Sequence, residues 1–171
     1  AWHAGKVLPT LSGEALAKAD AASLRKACAL PRVGWEYLRF VREGEDGPWR
    51  PAAGTFEKWP TTAKEITVMD PCCGSGHFLV AVFDCLVHLR MSEEGLSLEE
   101  AIRAVLANNI FGLELDSRCT QLAAFALAFA AWKFVGRVIP LPSLNVACTG
   151  LAVGVDEEEW TTLAGDDVRL K

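Results

Sequence analysis

Asp70, Gly74, Ser75, Gly76 and Glu114 are the residues whose types and spacing point to chemistry. The stretch DPCCGSGHFLV, residues 70–80, places three small residues between an apolar run ending in an aspartate and a second apolar run. Glycines at 74 and 76 let a backbone bend sharply and let a ligand lie against it. The amides near His77 and Phe78, at the start of a following helix, face the same crevice, where phosphate is the usual guest. Yet the turn is not GxGxxG, and it lacks the Lys-Ser/Thr of a P-loop. A carboxylate at Asp70 repels phosphate and suits a cationic or hydroxyl-bearing ligand. A second acidic residue, Glu114, closes another apolar run, IFGLEL. Two carboxylate oxygens match two adjacent hydroxyls.

Two neighbouring strand ends are needed to bring these groups together. EITVMD has strand length, and the spacing predicts a strand over 66–70. The helix after it carries Phe78, Leu79, Val82, Phe83, Leu86 and Val87 at helical intervals. SLEEAIRAVLANN reads as a second helix, opened by a capping box of Ser97 and Glu100. A buried-type strand follows over 110–114. Asp116 or Ser117 then caps a long helix over 118–135, stopped by Gly136. A third strand is expected over 144–148. The order β, α, α, β, α, β implies parallel pairing in a sheet flanked by helices, with the strands in the order 3-2-1. At the carboxyl edge of such a sheet, the glycine turn and Glu114 share one crevice.

Upstream, residues 12–28 read as an alanine-rich helix, with Ser12 as its cap and Glu14 in its first turn. EYLRFV and PWRPA read as a hairpin across REGEDGPW, with turn chemistry at Asp46-Gly47. The scattered Trp35, Trp49 and Trp59 read as packing of an irregular flap. The boundaries expected are an N-terminal helical and irregular segment over 1–60 and a ligand-binding half over 61–171.

The totals narrow the classes. With 171 residues, 51% of them hydrophobic, the chain is long enough for a proper core and is not disordered in composition. A net charge of −5 leaves no basic stripe for nucleic acid, so any such affinity must come from elsewhere. Six cysteines without CxxC or zinc spacing read as reduced thiols in the cytoplasm, and Cys72 and Cys73 read as packing residues. Neither a signal peptide nor a membrane-spanning run is recognisable, and no metal site is expected. The start at Ala1 reads as a piece of a longer protein.

A ribose, a sulfonium and an amino-acid end in one molecule describe S-adenosylmethionine. The residues also carry a resemblance. VMDPCCGSGHFLV resembles the first motif of the N6-adenine and N4-cytosine DNA methyltransferases, and NNIFGLELDSRCTQLAAFALAFAAW resembles their second. Together, over residues 66–132, they are most similar to the large adenine methylases of restriction-modification and phage defence. The resemblance implies a partial Rossmann-like, S-adenosylmethionine-dependent methyltransferase sheet. It implies cofactor contacts from Asp70, Pro71, Cys72, Gly74, Ser75, Gly76, His77 and Phe78, with Asp70 near the methionine end and the glycines clearing space. His77 either lines the crevice or merely starts the helix. Glu114 would take the ribose hydroxyls, with Leu115 and Asp116 beside the adenine.

The family's catalytic motif, Asp/Asn/Ser-Pro-Pro-Tyr/Phe, has no counterpart, because the chain contains no Pro-Pro dipeptide. That motif holds the flipped base and its exocyclic amine. The acidic residue expected after the third strand is replaced by Thr149. No catalytic residue is therefore assigned to this chain. The expectation is a cofactor-binding part whose chemistry and DNA contacts lie beyond it, inactive alone and self-associating through the open edge of the first strand. A methyltransferase for RNA or protein and a non-catalytic binding module are the alternatives.

Overall fold

The computed structural model describes residues 2–8, 11, 19–31, 33–42, 44, 47–54, 57–150, 161 and 162. Among the described residues, the N-terminal part holds two short helices, α1 (Trp2–Val7) and α2 (Ala21–Ala27). Asp20 caps α2 by accepting the Ser23 amide at 2.7 Å. The long helix expected over 12–28 is therefore corrected at its C-terminal end, where a local cap at Asp20 starts a separate helix. Its expected start, with Ser12 and Glu14, lies outside the described residues. The hairpin is present: β1 (Phe40–Val41) pairs antiparallel with β2 (Arg50–Pro51). Its turn at Asp46 lies outside the described residues. Ala4, Leu8, Leu24 and Cys28 form a small core here, against which Trp35 and Trp49 pack. The Trp35 indole donates to the Cys28 carbonyl at 2.6 Å, satisfying the polar end of a part-buried ring.

The parallel sheet contains β3 (Val68–Asp70), β4 (Ile110–Glu114) and β5 (Asn145–Cys148) in the order β3-β4-β5. Asp70 lies opposite Gly112, and Glu114 lies opposite Cys148. Helices α3 (His77–Glu94) and α4 (Leu98–Asn108) connect the first pair, and α5 (Ser117–Val135) connects the second. The fold is thus α/β, a partial Rossmann-like sheet flanked by helices, as the alternation of periods predicts.

The caps explain the boundaries. Ser97 and Glu100 form the expected box at α4. Asp116 accepts the Arg118 amide at 2.8 Å to open α5. Gly136, in the left-handed region at φ 77°, closes it. Inner positions of α3, α4 and α5 meet in one core that includes Leu79, Phe83, Ile102, Leu106, Ile110 and Leu127. A fully buried side chain such as Phe83 contributes about 1.5–3 kcal/mol by leaving water. Helix α5 is apolar on its outer side too, where Leu122, Phe125 and Phe129 are more than half exposed. The Phe125 and Phe129 rings stack at 5.8 Å.

Strand β3 is shorter than the run EITVMD predicts. Asn109, at the junction of α4 and β4, is fully buried and donates from its amide to the carbonyls of Ala63 at 3.1 Å and Ile66 at 2.6 Å. Ala63 belongs to a tight 3-10 turn (Ala63–Glu65), and Ile66, extended at φ −70° and ψ 120°, follows it without joining the ladder. Pairing starts where the Val68 amide reaches the Asn109 carbonyl at 2.8 Å. The Asn109 side-chain oxygen accepts from Arg90 at 3.2 Å, and buried Arg90 is held by both oxygens of Glu94.

Candidate functional site

The site is built where β3 and β4 end side by side. The Cys73 amide donates to the Leu113 carbonyl at 2.9 Å, carrying the strand pairing one step past Asp70. The Gly76 amide then donates to the Cys73 carbonyl at 2.8 Å and closes the turn. Gly74 and Gly76 both adopt left-handed conformations, at φ 52° and 84°. A side chain at Gly74 would meet no atom within 4 Å, so the space beside it is open. Gly76 has a different reason for lacking one. A Cβ there would stand 2.9 Å from the Cα of Ala123 on α5. The clearance expected for a ligand at Gly76 is taken by helix packing.

Glu114 joins the two strand ends. One carboxylate oxygen accepts the Gly74 amide at 2.7 Å, and the other accepts the Leu115 and Asp116 amides at 2.7 and 3.0 Å. These amide bonds, those of Asp116 and Gly74 foremost, hold its carboxyl below the ordinary range. Asp70 turns its carboxylate to the Cys72 amide at 3.1 Å. Asp116 is pushed down to about 2, chiefly by the Arg118 guanidinium.

The other expected residues are spread around this centre. Ser75 and His77 meet through the hydroxyl and the ring Nδ1 at 3.0 Å. His77 is the exposed first residue of α3. Pro71, Phe78 and Leu115 are exposed, and Leu115 keeps 72% of its surface in contact with water. The two cysteines part company. Cys73 is buried against Gly112, whereas Cys72 is exposed and does not pack. Burial first, then the charges of Asp70 and Glu114, push the Cys73 thiol up. Thr149, where an acidic residue was expected, donates its amide to the Glu114 carbonyl at 2.7 Å.

Sequence reasoning did not single out Gly112 or Asn109. A Cβ at Gly112 would lie 2.9 Å from Leu79 Cδ1 and 3.2 Å from Cys73 Sγ, so the glycine admits both helix and turn against the sheet. The signal for Asn109 was a polar residue standing immediately before the apolar run Ile110–Leu113 of β4.

The arrangement is that of an α/β protein whose glycine turn meets the carboxylates of Asp70 and Glu114 at the carboxyl edge of its parallel sheet. Residues 52–140, more than half of the chain, match the family described as MmeI, DNA-methyltransferase domain, and the chain belongs to that family. The resemblance read from the two motifs is thereby borne out. The chain is 39% identical over 93 residues to the adenine-specific methyltransferase PglX of Lacticaseibacillus casei (strain Zhang), covering 54% of this chain and 7% of that protein. It is 34% identical over 104 residues to the adenine-specific methyltransferase BrxX of Escherichia coli O9:H4 (strain HS), covering 58% and 8%. Another adenine-specific methyltransferase PglX, from Streptomyces coelicolor, is 33% identical over 74 residues, 43% of this chain and 6% of the relative. The chain thus spans under a tenth of the length of each of these relatives. Among the described residues no helix is long and apolar enough to cross a membrane.

Proposed function

We propose that the chain is the S-adenosylmethionine-binding part of a DNA methyltransferase acting on adenine N6. The observation that carries this reading is the joining of the glycine turn to the end of β4 by Glu114, beside open space at Gly74. The residues fit the group. Asp70 and Glu114 give the two strand ends negative charge, which favours a sulfonium and an ammonium and disfavours phosphate, while the charge of Asp116 is paired with Arg118. Asp70 and the turn amides of Ser75 and His77 would hold the methionine end, with Pro71, Cys72 and Phe78 framing it. Gly74 would admit the ligand to the backbone. Glu114 would bind ribose, and Leu115 with Asp116 would flank adenine. Gly76 serves by letting α3 start against α5. When bound, the cofactor supplies the methyl group.

The family's description as a DNA-methyltransferase domain supports DNA as the substrate, and the three adenine-specific relatives support adenine as the base. The base-holding turn and the DNA contacts belong, in this reading, to other parts of the protein. Residues 61–171 form the cofactor half and residues 1–60 a separate segment, and six free thiols fit a reducing cytoplasm. The isolated chain transfers no methyl group. Calorimetric titration with S-adenosylhomocysteine tests the reading in both the 171-residue chain and a longer protein that contains it. Binding that Gly74→Leu weakens is expected. Absence of binding by the longer protein would overturn the cofactor assignment. Binding accompanied by methylation of RNA or protein, and not of DNA, would overturn the substrate. Binding by a longer protein that methylates none of these would leave a non-catalytic module.

A further inference from the structure

We infer that Glu114 is a positioning residue for the glycine turn as well as a hydroxyl ligand, and that it holds the turn in its binding shape before any ligand arrives. The inference rests on the cofactor reading of the crevice. Three backbone amides from two different strand ends converge on this one carboxylate, at 2.7, 2.7 and 3.0 Å. Leu115 and Asp116 lie just after Glu114, but Gly74 lies 40 residues before it and belongs to the turn. Among the described residues, this is the one hydrogen bond that ties residues 74 and 75 to β4.

The arrangement also limits how Glu114 takes a sugar. A carboxylate offers about four acceptor sites. One oxygen already accepts two amides, and the other accepts Gly74, leaving a single site. One hydroxyl can be bound without giving up a backbone bond; a second cannot. Ligand affinity therefore depends on Glu114 in two separable ways. One acts through a hydroxyl. The other acts through the turn and is felt by parts of the ligand that the carboxylate never touches.

Amide hydrogen exchange and a ligand pair separate the two roles in the 171-residue chain. Without ligand, Glu114→Gln and Glu114→Ala should speed exchange at Gly74 by roughly ten-fold or more, because a charge-assisted bond is lost. Exchange at core positions such as Phe83 and Ile110 should stay slow. Glu114→Gln retains a carbonyl acceptor and remains informative should the alanine variant lose its core protection. With ligand, Glu114→Ala should weaken S-adenosylhomocysteine and also its 2′,3′-dideoxy analogue. Unchanged Gly74 exchange in both variants would overturn the inference, as would unchanged binding of the dideoxy analogue. Should the wild-type chain bind neither compound, the cofactor reading fails for this chain while the exchange experiment still decides the positioning role.

Discussion

Gly76 and Ala123 touch where the first turn of α3 meets α5, and a single added methyl group at Gly76 would stand 2.9 Å from the Ala123 backbone. Two penalties coincide there, the contact and a left-handed φ of 84°. A left-handed conformation costs a residue with a side chain about 1–2 kcal/mol, and overpacking typically adds about 1–3 kcal/mol. Gly76→Ala should destabilise the chain by about 2–5 kcal/mol. Gly74→Ala meets only the conformational penalty and should cost about 1 kcal/mol. Urea unfolding of the two variants checks the ordering, and equal losses would contradict the packing role of Gly76.

Asn109 should be the most sensitive polar residue of the fold. Asn109→Ala leaves the Ala63 and Ile66 carbonyls and the Arg90 guanidinium short of a partner in a buried setting. An unsatisfied buried group costs about 1–3 kcal/mol, so a loss of at least about 2 kcal/mol is expected. Asn108→Ala is the control, because Asn108 is exposed and bonds only within its own helix, to the Ala104 carbonyl. Denaturant midpoints falling equally for both would refute the assignment.

Acid should act through Asp116. Its folded value of about 2 lies below the ordinary 3.8. Between these values the unfolded chain binds more protons than the folded one, so stability rises with pH there. The contribution is complete above about pH 4 and lost as pH falls through about 2. Asp116→Asn should therefore be less stable than wild type at pH 5 and converge on it near pH 2. Added salt should shrink the difference, since Arg118 is exposed. A gap between the two proteins that stays constant across this range would count against it.

The self-association proposed for this chain has two candidate surfaces. Among the described residues β3 is paired on one side only and carries Met69, 52% exposed, and the outer side of α5 carries Leu122, Phe125 and Phe129. An unpaired edge strand recruits other strands, and a broad apolar patch recruits other surfaces. Met69→Lys should reduce association measured by light scattering if the edge dominates. Phe125→Glu with Phe129→Glu should do so if the helix face does, with little change in Tm. An edge-driven mechanism predicts the first result, and success of the helix variant alone would reject it.

Much of the parallel sheet and its helices was legible because their signals are local. The strand over 110–114 is bounded by two asparagines and an aspartate, and its observed limits match. Ser97 with Glu100, Asp116 and Gly136 state the helix ends directly. What escaped depends on distant partners. The helix expected over 12–28 relied on alanine content, whereas a competing cap at Asp20 makes Ala21 a helix start. The run EITVMD has strand composition throughout, yet Glu65 ends a 3-10 turn and the Ile66 carbonyl is taken by an amide 43 positions further on, so pairing begins only at Val68. Gly76 looked like ligand clearance until α5 was in place. At the site, Asp70 and Glu114 could be paired from strand ends alone. The occupation of Glu114 by three amides could not, since sequence gives no angle between a side chain and a turn.

The unlike settings of Cys72 and Cys73 turn the crevice into its own gauge. One sulfur is exposed at the rim, and its neighbour is sealed beneath the turn against Gly112. Alkylation of the outer thiol reports that the protein is present and reduced. The inner one is reached only when residues 73–76 lift away from β4, and burial further suppresses its reactive thiolate. The ratio of the two labelling rates is therefore a clock for opening of the turn, readable by mass spectrometry, with no ligand, DNA or catalysis involved.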